Sequence, residues 1–529
     1  MVQYYTDSEI QNEANLLNKV SENENSILNR RTASYKNKDS PFKIQNRFYE
    51  QQYSGIYFCR LKKLYNNVKK ACEEKWRKSI DSGKVEYKSK ILDIKQGKLS
   101  YVIGTVFLDM SGKPNILKDV STTLNIDELE ETYEKYIDDN GTKEILIEDE
   151  SGRMTLIGEK SQSNDIITGA VIGVLGLENK HGDFELLDYC LPGYPERIPH
   201  SIMKMEVEEE GEGEKDEPKY IAFLSGIEIG NEAYNSLKTQ LLFEYLTGEL
   251  GCIADQVHAS QIIRVIFAGN LITKYKRTKE EIKNARLYGH FNCKSSTDYQ
   301  EYLKQLDRLL STVSSCVPID IMPGDNDPVN RSFPQQPLHS SFFKETNLSD
   351  ACQMATNPHY CEIDHLNILG TSGQNISDLL RYTTISEEEE EEEEKDQNME
   401  IDQKEKESQK TDDDVMKIND QEEEEDQNQE KEMKKETPID MLERTLKWQH
   451  MAPTAPDTLT CYPFKENDPF VIESLPDVYF VGNQRRFAQR LIEGPNHTKT
   501  KLIMIPSFLQ THQLVLLNTK SLECFTLQF

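Results

Sequence analysis

Tyr220-Ile-Ala-Phe-Leu-Ser-Gly-Ile-Glu-Ile-Gly230 is the first of four stretches built to one plan. The others are Val265-Ile-Phe-Ala-Gly-Asn-Leu-Ile-Thr273, Ile319-Asp-Ile-Met-Pro-Gly-Asp-Asn-Asp-Pro328 and Val478-Tyr-Phe-Val-Gly-Asn-Gln-Arg-Arg486. Each begins as a short, mostly apolar run, the signature of a buried strand. Each run then meets a glycine and a cluster of polar residues. A glycine there suits a tight turn at a strand end. Helical patterns at 235–247 and 297–314 and a further strand at 501–505 fall between or after them. Such alternation predicts a layered sheet with helices on its faces. Ligands in sheets of this kind sit beyond the carboxyl ends of the strands. The polar tips are therefore where chemistry is expected.

The rest of the chain is organised around that domain, taken as 218–529. Residues 1–40 are polar with little periodicity and read as a flexible tail. A second domain is expected over 41–205. It opens with a helix from residue 48 to about 76, in which Tyr53, Ile56, Tyr57, Leu61, Leu64, Tyr65 and Val68 share one face. Lys62, Lys63, Lys69, Lys70 and Lys75 lie largely off it and read as a solvated face. Strands follow at 99–108, 144–148, 154–157 and 167–175. Turn signals separate them: Ser111-Gly112-Lys113-Pro114, Asn140-Gly141, Glu150-Ser151-Gly152 and His181-Gly182-Asp183. About five short strands suit a small barrel of the OB-fold type. Its strands are aliphatic and its flanks acidic, which favours docking to protein over reading nucleic acid. Residues 206–217 form an acidic linker. The fold class is thus multidomain, mixing α+β and α/β.

The chain has 529 residues and a formal net charge of −30. The segment 387–436 carries 25 acidic and 8 basic residues, a net of −17, and almost no large apolar side chains. It cannot bury enough surface to offset the entropy of ordering and reads as a disordered insertion in the 218–529 domain. So acidic a chain has no global attraction for nucleic acid. Ten cysteines are scattered with no Cys-x-x-Cys pair, so a cysteine-rich zinc site is not expected and reduced, packed thiols are. No run approaches the ~18 apolar residues of a membrane span.

A two-metal phosphoesterase would place Asp, His and Asn at such tips. Carboxylates and imidazoles hold the metals ~3.5–4 Å apart and a bridging hydroxide attacks phosphorus. The frame here resembles the calcineurin-like phosphoesterase superfamily, whose motifs are Asp-x-His, Gly-Asp-x-x-Asp, Gly-Asn-His-Asp/Glu, a lone His and Gly-His-x-His. On this resemblance Gly226 and Glu228 stand where Asp and His belong. Asn270 and Thr273 replace two aspartates. Asp325 and Asn326 replace Asn and His, Ser372 the lone His, and Asn483 and Arg485 the last two histidines. No imidazole remains. Oxygens survive in Glu228, Asn270, Asp325 and Asp327, but Asp325-Asn326-Asp327-Pro328 is also an ordinary turn composition. No catalytic residue, metal or cofactor is therefore expected. His450 lacks a nucleophile motif nearby and reads as a hydrogen-bonded structural histidine. Gly370-x-x-Gly373 lacks the lysine of a phosphate loop.

An inactivated phosphoesterase domain behind an OB-like barrel resembles the small (B) subunit family of replicative DNA polymerases, in its delta/II branch. The strings that carry this are Arg264-Val-Ile-Phe-Ala-Gly-Asn-Leu271, Val317-Pro-Ile-Asp-Ile-Met-Pro-Gly324, Phe333-Pro-Gln-Gln-Pro-Leu-His339, Leu369-Gly-Thr-Ser-Gly-Gln-Asn375, Ala452-Pro-Thr-Ala-Pro-Asp-Thr-Leu459 and Cys461-Tyr-Pro-Phe464. The resemblance covers roughly 41–200 and 218–529. It implies a non-catalytic nuclear accessory subunit acting in replication and repair synthesis. Its partners would be the catalytic subunit of DNA polymerase delta, through that chain's C-terminal cysteine-rich metal domain, and a third subunit. Contact with the sliding clamp and DNA would be indirect, and none with membrane is implied. Obligate contacts of this kind bury ~2,000 Å² or more. Two rival readings remain: a metal-dependent phosphodiesterase or nuclease, and a single-strand DNA binder acting through the barrel.

Overall fold

The computed structural model describes residues 29–48, 50–110, 112–113, 135–136, 143–198, 218–274, 296–346, 351–383 and 437–529. The expected acidic linker at 206–217, the acidic insertion at 387–436 and the Asn140-Gly141 turn lie outside the described residues. So does most of the expected tail.

The end of that tail is a correction. Strand β1 (Tyr35–Asn37) pairs antiparallel with 361–363 at the edge of a sheet. Asp39 is wholly buried there, and its carboxylate accepts from the amide of Tyr360. Arg30 donates to the carbonyls of Leu246 and Ala259. Hydrogen bonds rather than an apolar stripe anchor this segment, so hydrophobic periodicity does not reveal it.

Helix α1 (Ser54–Lys75) starts later than expected and buries Ile56, Arg60, Leu64, Val68 and Cys72. The barrel follows: β2 (Glu86–Tyr87), β3 (Ser100–Asp109), β4 (Glu144–Glu148), β5 (Arg153–Ile157), β6 (Val171–Glu178) and β7 (Phe184–Cys190). The first half of β3 pairs with β6 and its second half with β4. One long strand thus closes the order β3-β4-β5-β7-β6 on itself, with β5 and β7 parallel. Closure removes the sheet edges. The strand expected at 167–175 begins only at Val171, because Gly169 turns there at φ +81°. β3 is buried on both faces. Val102 and Val106 belong to the apolar core that includes Phe184 and Ile172, while Tyr101 and Ile103 pack under α1.

The second domain stacks two six-stranded sheets. Its elements are β8 (Tyr220–Leu224), α2 (Ser236–Thr247), α3 (Ile253–Ser260), β9 (Ile262–Ala268), α4 (Ser296–Ser314), β10 (Ile319–Met322), β11 (Cys352–Met354), β12 (His359–Ile363), β13 (Leu366–Thr371), α5 (Gln374–Leu380), α6 (Pro438–Lys447), β14 (Val478–Gln484), β15 (Ala488–Glu493), β16 (Lys499–Pro506), β17 (Gln513–Asn518) and β18 (Cys524–Gln528). One sheet runs β1-β12-β13-β14-β16-β15, the other β11-β10-β9-β8-β17-β18. Their facing sides share a core that includes Phe223, Ile266, Ile368, Phe480 and Ile503. The outer face of the second sheet is covered by α2 and α4 through Leu242, Leu246, Leu306 and Leu310. The outer face of the first meets α5 and α6. There Leu369, Tyr479 and Leu502 join Leu379, Leu442 and the barrel interior in one continuous apolar cluster. The barrel is therefore packed onto the sandwich, not tethered to it. Among the described residues, no helix is long and apolar enough to cross a membrane.

Candidate functional site

Strands β8, β9 and β10 are mutually parallel, as are β13, β14 and β16. Their carboxyl ends therefore point the same way, and the tips meet where the two sheets face each other. The amide of Asn483 donates to Ser225 Oγ at 2.9 Å, and its Nδ2 donates to the carbonyls of Ser372 and Ala268. A single residue thus ties three strand ends together.

Three of the four residues with surviving oxygens, Glu228, Asn270 and Asp327, are engaged by the protein's own donors. Asp327 is buried, and its carboxylate accepts four backbone N–H bonds of 2.8–3.1 Å, from Gly324, Asn270, Leu271 and Ile272. Burial pushes its pKa up to about 6, while the four amides pull it down. Asn270 Oδ1 accepts the amide of Asn326. Glu228 accepts one amide hydrogen bond from the Asn326 side chain at 3.0 Å and another from that of Asn231 at 2.8 Å. Asp325 points outward and is exposed.

The tips approach one another closely at two glycines. A Cβ on Gly269 would lie 2.8 Å from the Gly324 Cα, and one on Gly482 would lie 2.6 Å from the Ala268 carbonyl oxygen. Neither glycine has room for a methyl group, so the strand ends pack backbone against backbone there. Glu228, Asn270 and Asn483 all adopt positive φ. Such strain collects where tertiary contacts over-determine the backbone.

The structure brings Gly226, Glu228, Asn270, Asn326, Ser372 and Asn483 to one place. Thr273 lies one step beyond, its amide on the Ile229 carbonyl, and Arg485 is exposed at the rim. Several members were not foreseen. Asn357 accepts the Ser372 amide and bonds Gln335 and Gln374, and Gln335 donates to the Gly324 carbonyl. Two of these side chains lie in Phe333-Pro-Gln-Gln-Pro and Gly373-Gln-Asn, so amide-rich composition was the available signal. The Gly370-x-x-Gly373 turn is closed as well, since a Cβ at Gly373 would come within 2.4 Å of the Gly482 carbonyl oxygen.

A second polar group lies inside the sandwich. Asp320, His359 and Cys361 are wholly buried and close together. Arg264 holds Asp320 through Nε and Nη2 at 2.8 and 3.0 Å and stacks on Tyr35. His359 Nδ1 is bonded to Asp39 at 2.8 Å, and its Nε2 faces Asp320 at 3.6 Å. Burial opposes a charge on His359, but Cys361, Asp39 and Asp320 raise its pKa well above the ordinary value. An imidazolium and a guanidinium then balance two carboxylates, and a cation would compete with Arg264 for Asp320. The group secures β1 to the sandwich.

A third group joins the domains. Arg60 is wholly buried. It donates to Asp468 at 2.8 Å and to the carbonyls of Gly169 in the barrel and Pro453 and Ala455 in the sandwich. His450 Nε2 lies 2.9 Å from Asp468, and its Nδ1 accepts from the Ala452 amide. These partners fit a neutral ring protonated at Nε2. Burial, aided by Arg60, lowers the His450 pKa to about 4. Between pH ~6.5 and ~4 the unfolded chain therefore binds this proton and the folded chain does not. Stability is full above ~6.5 and falls as pH drops, by up to about 3 kcal/mol from this residue. Urea unfolding of wild type and His450→Gln across that range should give curves that converge as pH falls. Parallel curves would exclude the assignment.

Four of the five α1 lysines are matched by acids. Lys63 pairs with Glu473, Lys69 with Glu73, Lys70 with Glu196 and Lys75 with Asp188. Such exposed pairs add little stability, but they neutralise the one basic face noted in the sequence.

Known protein families divide the chain at the same place. The family described as "DNA polymerase delta subunit OB-fold domain" matches residues 52–189, and the B-subunit family of DNA polymerases alpha and epsilon matches 221–489. The chain is 34% identical over 505 residues to the DNA polymerase delta small subunit of Arabidopsis thaliana, covering 95% of this chain and 97% of that one. It is 32% identical to the Saccharomyces cerevisiae protein of that name, covering 93% and 92%. The DNA polymerase II small subunit of Methanocaldococcus jannaschii is 25% identical over 251 residues, covering 46% and 38%.

Proposed function

The chain belongs to the DNA polymerase delta small subunit family, and from that premise we propose that it is a non-catalytic accessory subunit that scaffolds a polymerase delta complex in the nucleus. The barrel and the sandwich, packed together, offer one continuous surface. In this reading the catalytic chain docks there through its C-terminal cysteine-rich domain, and a third subunit docks alongside. The sandwich is a calcineurin-like phosphoesterase domain whose strand tips now serve as a staple.

One observation carries the non-catalytic reading. The side-chain oxygens of Glu228, Asn270 and Asp327 accept from the site's own N–H groups, the tips approach closely at Gly269 and Gly482, and Asn483 Oδ1 is a buried oxygen there with no donor. A phosphodiesterase needs open ligands and an open position. The paired lysines of α1 and the acidic barrel flanks argue likewise against a free-standing single-strand binder.

Co-expression with a polymerase catalytic chain, with and without that chain's cysteine-rich domain, tests the scaffold. A stoichiometric complex should form only when that domain is present. Incubation of the purified chain with Mn²⁺ and a phosphodiester tests the site, with no turnover expected. Metal-dependent hydrolysis that disappears in Asn270→Ala would overturn the reading.

A further inference from the structure

We propose that Cys72 and Cys190 form a redox-reactive thiol pair, able to close into a disulfide between helix α1 and strand β7, with Cys190 reacting first. The barrel's register carries the argument. Gly173 on β6 is the direct partner of Cys190 on β7. Directly opposed residues of an antiparallel pair point to the same face, with Cβ positions ~4.5–5.5 Å apart. A Cβ on Gly173 would lie 2.2 Å from the Cys72 sulfur. The sulfur of Cys72 therefore occupies the place that a side chain at 173 would take, beside Cys190. Both thiols belong to one apolar cluster under α1, and Cys190 Sγ donates to the Leu191 carbonyl at 3.5 Å.

Their surroundings differ. Cys72 is wholly buried among Val68, Trp76 and Tyr101. Cys190 lines an open groove with Lys75, Lys160, Asp188 and Tyr189. Lys75 Nζ is fixed there by the Tyr189 carbonyl at 2.5 Å and by Asp188 at 3.0 Å. The neighbouring Cys72 thiol first, and the charge of Lys75, draw the Cys190 pKa below the ordinary thiol value against the effect of burial, while that of Cys72 is raised. A thiolate beside a cation is the usual reactive form.

A small disulfide such as oxidised glutathione supplies the oxidant. The Cys190 thiolate attacks one glutathione sulfur, the S–S bond breaks, and one glutathione thiolate leaves and takes up the proton from Cys190. Cys72 then loses its proton and attacks the Cys190 sulfur, expelling the second glutathione as a thiol. Two cysteine thiols are oxidised and one small disulfide is reduced, a two-electron exchange that dithiothreitol reverses. The new bond would lock the helix that carries Arg60 onto the barrel.

The test treats the folded full chain with oxidised glutathione, quenches with iodoacetamide and maps peptides without reduction. The expected product is a cross-linked peptide joining Cys72 to Cys190. Cys72→Ser should instead accumulate Cys190–glutathione, and Cys190→Ser should leave Cys72 unmodified. Should either variant fold poorly, the alkylation rate of Cys190 in unmodified protein gives the same answer: at least ~10-fold above that of Cys72. The exposed Cys252 and Cys316 report that the reagent has acted. Modified Cys252 and Cys316 without a Cys72–Cys190 link, or a link that forms only in urea, would overturn the proposal.

Discussion

Arg60→Met should lower stability by about 3–5 kcal/mol, seen as a large fall in the urea or thermal midpoint. The guanidinium is wholly buried and faces Asp468, which is also wholly buried. Burial opposes charge on Asp468, but His450 and Arg60 hold its pKa well below the usual carboxylate range. Removing the cation strands that carboxylate with only His450 and the Phe470 amide as donors. Breaking one side of a buried pair is costly for this reason. The Gly169, Pro453 and Ala455 carbonyls lose their donor in the same step. Methionine keeps the aliphatic length, so packing loss is small and the effect reads the charge. Arg60→Met/Asp468→Leu, which removes both charges, should recover much of the loss. A double variant as unstable as the sum of the two singles would contradict this account.

Asp327→Ala is the corresponding experiment at the strand tips, with an expected cost of about 4 kcal/mol. Four backbone N–H groups from two neighbouring tips would lose their shared acceptor, each a buried donor worth ~1–3 kcal/mol when left unsatisfied. The sum is reduced because neighbouring donors can turn toward water together. Asp327→Asn should be nearly as damaging, since its NH₂ group would face two of the four donors. Asp325→Ala, two residues away and exposed, should change stability by less than ~0.5 kcal/mol. Circular dichroism melts of the three variants decide the matter. A metal-ligand role would invert the pattern, leaving Asp327→Ala folded in the absence of metal and sensitising Asp325→Ala to added Mn²⁺.

The parts that could be read in advance share one physical property: their signal is local. Apolar runs of four to seven residues capped by glycine marked β8, β9, β10 and β14. Alternation and turn residues marked β4 and β5. Strand β7 carries a weaker local signal, because Leu187 is apolar yet exposed beside the buried Phe184 and Leu186, and apolar alternation in its sequence breaks there. Strand β1 carries no apolar pattern at all and exists because Asp39, Arg30 and its ladder with β12 find partners more than two hundred residues away. The residues Gly226, Asn270, Asn326, Ser372 and Asn483 are legible in the sequence as departures from the motifs of the superfamily it resembles. That Asp327, a surviving oxygen, would be bound by four amides was not visible, since three of those amides belong to another strand's tip.

By itself, then, the amino-acid order determined the strand ends, the barrel, the two-domain layout and the absence of imidazole from the tips. Each follows from a residue's own conformational preference or from the company of its nearest neighbours. Only the tertiary structure decided what the remaining polar groups do. From its neighbours alone, Arg60 is one more helix cation and Asp327 one more turn residue. Folding takes both out of water, where a charge persists only if donors and acceptors from distant segments converge on it, and that convergence is a property of three-dimensional packing alone.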